Sequence, residues 1–336
     1  MIKDSRLMLI FLLKTAGFCL RLLFSYSLVV LIVLLRVTCY DKYSFFTGSL
    51  RETADRTWLC LSILSSSRQY TDLENKMTEN SKNEVIRLVH DTRNIILNKE
   101  YVHHITEKGA ADYVTAADQG VQNFLEKELP ALTPDVILFA EEKENEAMDP
   151  EKSYWILDPV DGTTNLIHDY QMSAVSLALY EDGDISFGIV YNPFTEDTFL
   201  AEAGKGALYN GTSISVSGCG SLKDALISFG SCPYQKELAV QLFPVFQRVF
   251  EKTADFRRTG SAALDLCYVA MGRQDAYFEY TLKPWDYAAG QLILKEAGGI
   301  CTDFAGKPLP ILKNSSVFGC TPGIHQALLE ELKVLV

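Results

Sequence analysis

"SYWILDPVDGTTN", residues 153–165, decides how the chain is read. Trp155, Ile156 and Leu157 form an apolar run of the kind that enters a core as a strand. Asp158-Pro159-Val160-Asp161 follow, and then Gly162-Thr163-Thr164-Asn165, a composition suited to a turn and a helix start. The expectation is a strand that ends near Leu157, two carboxylates at its carboxyl end, and a helix opening at Gly162-Thr163. In α/β sheets ligands gather beyond the carboxyl ends of strands.

Other acids fall at comparable places. Glu141 and Glu142 follow the apolar "VILFA" of residues 136–140, and Asp118 lies in "VTAADQ" where an extended piece turns helical. Asp286 sits in "KPWDYAAGQLILKEAGG", residues 283–299, at the mouth of a helix whose Ala288-Ala289-Gly290 permits close packing. Taken singly, each acid reads as a solvated loop residue or a helix cap. Three acidic strand ends together read differently. Carboxylates clustered without His or Cys suit hard cations, and Mg²⁺ above all, because it shares its shell between carboxylates and phosphate. Crowded like charges are costly unless a cation neutralises them. The backbone N–H groups at Gly162-Thr163 suit an anion.

The chain has 336 residues and a formal net charge of −12, which argues against a nucleic-acid backbone as partner. Its eight cysteines are scattered, with no Cys-x-x-Cys pair and no zinc-type spacing, so they read as reduced thiols in a cytoplasmic setting. Of the five histidines, His168 lies nearest the motif, and a hard-cation oxygen site does not need it. Charge divides the chain. Residues 1–76 hold ten Lys/Arg against six Asp/Glu, a balance of +4 that leaves −16 for the remainder. Residues 7–36 are apolar apart from Lys14, Arg21 and Arg36, but the longest uncharged run, Leu22 to Leu35, is 14 residues. A membrane-spanning helix usually needs ~20. Membrane contact through residues 7–36 and a start-site artefact both account for this segment. The composition changes sharply at Met77, where Thr78 or Ser81 opens a helical pattern. The domain division expected is therefore 1–76 and 77–336. From Met77 onward strands and helices alternate, with no internal repeat, and the fold class is α/β.

At these residues the chain resembles the inositol monophosphatase family of Mg²⁺-dependent, lithium-sensitive phosphatases. The likeness rests on "WILDPVDGTTN", "FAEEK", "WDYAAG" with Glu-Ala-Gly-Gly at 296–299, and "FRRTGSAALDLCYVAMGRQDAYFE", in the family's order. It covers about residue 80 to the end. It implies a layered αβαβα sandwich, a homodimer, and a phosphate monoester as substrate. By position, it implies a first Mg²⁺ on Glu141, Asp158 and the Val160 carbonyl, and a second on Asp158, Asp161 and Asp286. A third, weaker ion would lean on Glu141. Gly162 and Thr163 would give N–H groups to phosphate, and the Thr163 hydroxyl with Asp118 would activate water. Gly260, Ser261 and Ala262 would line the alcohol pocket, and Glu279 would take substrate hydroxyls. Lys108 matches a lysine on a loop near the metals. After His168 the chain has Asp169-Tyr170-Gln171-Met172 where the family often has Gly, an aromatic residue and Pro-His, which bears on substrate preference.

The activity implied is hydrolysis of myo-inositol 1-phosphate or a related polyol phosphate. Fructose 1,6-bisphosphate, 3′-phosphonucleotides and histidinol phosphate are alternatives on the same fold, as is a regulatory binding role. A chain beginning at Met77 is expected to be folded and active. Aggregation of that chain, where the full chain stays dispersed, would make residues 1–76 part of the fold.

Overall fold

In β4, the strand Tyr154–Asp161, alternate residues face two different cores, and this alternation sets the layers. The computed structural model describes residues 77–109 and 112–336, so residues 7–36 and the rest of the first 76 lie outside the described residues. Met77–Val336 form one compact unit.

Among the described residues, a seven-stranded sheet is ordered β3-β4-β5-β6-β7-β8-β9. Besides β4 it comprises β3 Ile137–Ala140, β5 Ala174–Glu181, β6 Asp184–Asn192, β7 Asp197–Glu202, β8 Ala207–Tyr209 and β9 Thr212–Ile214. Only the β3–β4 pair is parallel; the rest of the sheet is antiparallel. A five-stranded sheet is ordered β11-β10-β12-β14-β13, with β10 Leu226–Phe229, β11 Asp255–Arg257, β12 Ala276–Leu282, β13 Ile300–Thr302 and β14 Ser315–Cys320. The hairpin β1 Ile105–Gly109 and β2 Asp112–Thr115 stands apart.

Trp155 and Leu157 pack with Val175, Leu177 and Leu179 against the helices Glu79–Asp91 and Ala116–Glu128. Tyr154 and Ile156 face the opposite way, onto the helices Ala262–Ala270 and Pro284–Glu296. Tyr277 of β12 closes that middle core from the far side. Its neighbours Ala276 and Phe278 turn to a third core under the helices Ala239–Phe250 and His325–Leu332. The result is helix, sheet, helix, sheet, helix, the αβαβα sandwich expected.

The middle helices have few polar faces because sheets cover both sides. Close approach there depends on missing side chains. A Cβ on Gly188 of β6 would lie 3.1 Å from the Ala289 Cα, and one on Gly290 would lie 2.8 Å from the Leu266 Cδ1. The small run Ala288-Ala289-Gly290 thus seats the helix that carries Asp286.

Of the two expected caps, Thr78 caps the first described helix, its side chain accepting from the Ser81 N–H. One local expectation changes: the strand does not end at Leu157, and β4 runs on to Asp161. Asp158 pairs with Ser176 and Asp161 with Ala174, so Pro159 and Val160 stand opposite Val175 alone, in a bulge. Proline lacks the N–H a regular ladder needs, and a bulge is where a strand tolerates it. β5 and β6 are joined by a turn at Asp182-Gly183, with φ 54° and 88°, the left-handed pair a tight hairpin requires.

Gly188→Val is expected to lower unfolding free energy by about 1–3 kcal/mol, read by urea denaturation. An unchanged midpoint would mean that the helix–sheet spacing is not tight at Gly188.

Candidate active site

The bulge puts Asp158 and Asp161 at the same end of β4 as Glu141, which directly follows β3. The Glu141 backbone N–H donates to the Leu157 carbonyl at 3.2 Å, extending the β3–β4 pairing by one residue. Two side-chain amides clamp the peptides on either side. Gln122 donates to the Glu142 carbonyl and accepts from its N–H, each at 2.9 Å. Asn145 does the same to Ala140, donating at 2.7 Å and accepting at 3.2 Å. Sequence reading passed over both, since neither belongs to an acidic motif.

Asp161 joins the two halves of the site. Its Oδ2 accepts from the Ser261 hydroxyl at 2.6 Å and from the Ala263 N–H at 2.8 Å. It therefore sits at the start of the helix Ala262–Ala270, where exposed N–H groups favour an anion. Asp286 lies in the first turn of the helix Pro284–Glu296 and accepts from the Lys283 N–H at 2.7 Å. Asp158 accepts from the Val160 N–H at 3.0 Å.

Asp118 caps its own helix. Its Oδ2 accepts from the Thr115 N–H at 2.8 Å and from the Thr115 hydroxyl, while its Oδ1 accepts from the Thr163 hydroxyl at 2.9 Å. The Val160 carbonyl lies 3.1 Å from the same hydroxyl. Asp118, Thr163 and Val160 thus meet although 45 residues separate the first two.

Gly162 holds φ 89° and Gly260 φ 87°, which only glycine adopts at little cost. A Cβ on Gly162 would lie 2.9 Å from the Met172 carbonyl and 3.2 Å from the Gly260 carbonyl. Asn165 staples the segments together, donating to the Met172 carbonyl at 2.6 Å and the Thr259 carbonyl at 2.9 Å. The loop that departs from the family pattern carries two residues at positive φ, Asp169 at 51° and Gln171 at 61°. His168 is exposed.

Glu279 in β12 accepts from the Tyr277 hydroxyl at 2.6 Å and the Cys232 N–H at 3.2 Å. The Lys283 ammonium lies over the Trp285 ring, 5.0 Å from its centroid. Lys108 of β1 pairs with Glu142.

Electrostatically the site is under strain. Burial pushes Glu141 up to about 7, with Lys108 and Lys283 opposing and Glu142 and Asp118 adding to the rise. Burial pushes Asp161 to about 6 against the donors of Ser261 and Ala263. Asp158 and Asp286 are driven well above the ordinary range by burial and by neighbouring carboxylates, Glu141 and Asp161 among them. Among the described residues no three such side chains stand as a finished metal cage. Asp158, Asp161 and Asp286 are each turned toward a nearby donor instead. The donor set still suits a hard divalent cation: all oxygen, buried, and too crowded for every member to stay ionised without added positive charge.

Among the described residues a further buried acid lies beside this set. Asp265, on the helix Ala262–Ala270, accepts from the Thr259 hydroxyl at 2.7 Å and the Gln274 amide at 3.2 Å, and burial pushes it to about 7.

A family model described as the inositol monophosphatase family matches residues 74–335. "Nus factor SuhB" of Vibrio cholerae is 37% identical over 228 residues, 68% of this chain and 85% of that protein. An "Inositol-1-monophosphatase" of Mesorhizobium japonicum is 36% identical over 229 residues, 68% of this chain and 86% of that protein. The solved structure of a Thermotoga maritima IMPase aligns with a TM-score of 0.69 at 32% identity, over 76% of this chain and 98% of that one.

Raised carboxylate pKa values make stability fall as pH rises. The folded state holds protons that the unfolded state has lost, so the contribution is full below 3.8 for Asp161 and 4.5 for Glu141, and is lost through about 6 and about 7 respectively. In chelator, the melting temperature is expected to decline over this window. The stabilisation by added Mg²⁺ is expected to grow over it, as cations replace the protons. Equal Mg²⁺ stabilisation at pH 5 and pH 8 would exclude these acids as the cation's seat.

Proposed function

The chain belongs to the inositol monophosphatase family, and on that premise we propose that it is a Mg²⁺-dependent phosphatase that hydrolyses inositol 1-phosphate or a related polyol phosphate. The observation that carries this reading is the convergence of buried Asp158 and Asp161 with half-buried Asp286 and Glu141 beside the Asp118–Thr163 pair. Glu141, Asp158 and the Val160 carbonyl would hold one cation, and Asp158, Asp161 and Asp286 another, with a third leaning on Glu141. Bound there, the cations would supply positive charge for the attacking water and the leaving oxygen.

The chain's own groups do the rest. Thr163, donating to Asp118, offers its free lone pairs to the attacking water and passes its proton inward as it takes one from the water. Burial raises the Asp118 carboxyl, against its Thr115 and Thr163 donors, toward the range useful to a base. Gly162 and Thr163 would receive phosphate on backbone N–H groups. Gly260, Ser261 and Ala262 would line the alcohol side, where Glu279 would accept hydrogen bonds from substrate hydroxyls.

The name "Nus factor" borne by relatives supports a second reading, a binding role in which this surface serves a partner. Turnover by the purified chain separates the two. Inositol 1-phosphate is expected to be the fastest of three esters, the others being fructose 1,6-bisphosphate and adenosine 3′,5′-bisphosphate. A different order would move the substrate within the superfamily, and no turnover of any would favour the binding role. Glu279→Gln is expected to cut kcat/KM for inositol 1-phosphate about tenfold or more, as loss of a charge-assisted hydrogen bond does. The loss on an aryl phosphate, which has no hydroxyls to offer, should be much smaller. Equal losses on both esters would remove Glu279 from the alcohol pocket.

A further inference from the structure

The side chain assigned above to substrate hydroxyls is held from the protein side on both oxygens. The Tyr277 hydroxyl donates to Oε2 at 2.6 Å, and the Cys232 backbone N–H donates to Oε1 at 3.2 Å. Tyr277 is two residues earlier in the same strand, and its ring is buried in the middle core, so its hydroxyl has little room to move. Cys232 holds φ 47°, an unusual conformation for a residue with a side chain, on the loop that leaves β10. That loop starts at Gly230, whose N–H donates to the Phe278 carbonyl at 3.0 Å. A Cβ on Gly230 would fall 1.9 Å from the Glu279 Cδ and from its Oε2. A side chain at position 230 would therefore have to push the Glu279 carboxylate aside, while the backbone torsion there makes no demand for glycine.

Three features, two on the loop after β10 and one on β12, therefore act on one carboxylate. Gly230 leaves it room, Cys232 fixes one oxygen and Tyr277 fixes the other. Resting on the phosphatase reading, we infer that Tyr277 and Gly230 are positioning residues for alcohol recognition. Tyr277 aims the Glu279 carboxylate, and Gly230 leaves room for it where both donors reach it. A carboxylate oxygen has two acceptor directions. With one on each oxygen taken from within, those left over are fixed in direction, and a fixed acceptor pair selects esters by where their hydroxyls lie. Esters without hydroxyls gain nothing from this arrangement, so its effect is specific to the alcohol half of the substrate.

The test is a double-mutant cycle between Tyr277→Phe and Glu279→Gln in the full chain with Mg²⁺. It uses an aryl phosphate and whichever of the three esters above the wild type turns over fastest. Tyr277→Phe is expected to raise KM for the hydroxylated ester about tenfold, with kcat changed far less. Its effect on the aryl ester should stay within about threefold. In the Glu279→Gln background Tyr277→Phe should add little further loss, because the group it aims is already altered. Gly230→Ala is expected to give the same split between esters by displacing Glu279, and it serves if Tyr277→Phe does not fold. An equal loss on both esters, or an undiminished loss in the Glu279→Gln background, would make Tyr277 a packing residue and overturn the inference. A wild type that prefers another of the three esters would correct the substrate and leave this test in force; one that hydrolyses none would overturn both readings.

Discussion

Buried carboxylates set the terms for the rest of this molecule. Asp158, Asp161, Asp286 and Glu141 each lose hydration, and each raises the cost of ionising the others. A backbone N–H or a hydroxyl offsets part of that cost but cannot neutralise a charge. Such a cluster persists in a folded chain only if the scaffold is stable enough to hold it. The scaffold here is three apolar cores among the described residues, stacked through two sheets.

The acids arrive from separate places. Glu141 follows a parallel strand, Asp158 and Asp161 flank a bulge, and Asp118 and Asp286 lie in the first turns of two helices on opposite sides of the seven-stranded sheet. First-turn placement gives these two carboxylates backbone N–H donors as they approach the others. Asp161 has a wider reach, because its donors belong to the helix Ala262–Ala270 in the second half of the chain. A carboxylate that would serve a cation is therefore also a brace between halves, and its removal would disturb chemistry and packing together.

Much of this was legible in the sequence because its signals are contiguous. "DPVDGTTN" places acid, bulge proline, left-handed glycine and helix opening in eight successive residues. The α/β alternation was legible because buried strands and amphipathic helices differ in period. The end of β4 was misplaced, since Asp and Pro ordinarily stop a strand and the bulge that accommodates them depends on the partner strand β5. Gln122, Asn145, Asp265 and Tyr277 carried no signal. Each is an ordinary polar residue whose role depends on a partner that only the folded chain supplies, such as Glu142 for Gln122 and Thr259 for Asp265. Glu279 came only through resemblance, as nothing in "DAYFEY" tells a solvent-facing glutamate from one held by Cys232 across 47 residues.

The Asn145 clamp has a consequence away from chemistry. Among the described residues β3 is the outermost strand of the seven-stranded sheet, so its outer side offers N–H and C=O groups with no described strand beyond them. An open edge of this kind is a template on which another chain can add a strand and begin to aggregate. Asn145 occupies both polar groups of Ala140, the last residue of β3, with the two hydrogen bonds a neighbouring strand would otherwise make. One amide side chain thus caps the sheet sideways, as a terminal residue caps a helix lengthwise, and it does so one residue before Glu141. The border of the sheet is sealed against foreign strands at the point where the chain turns toward its acidic cluster.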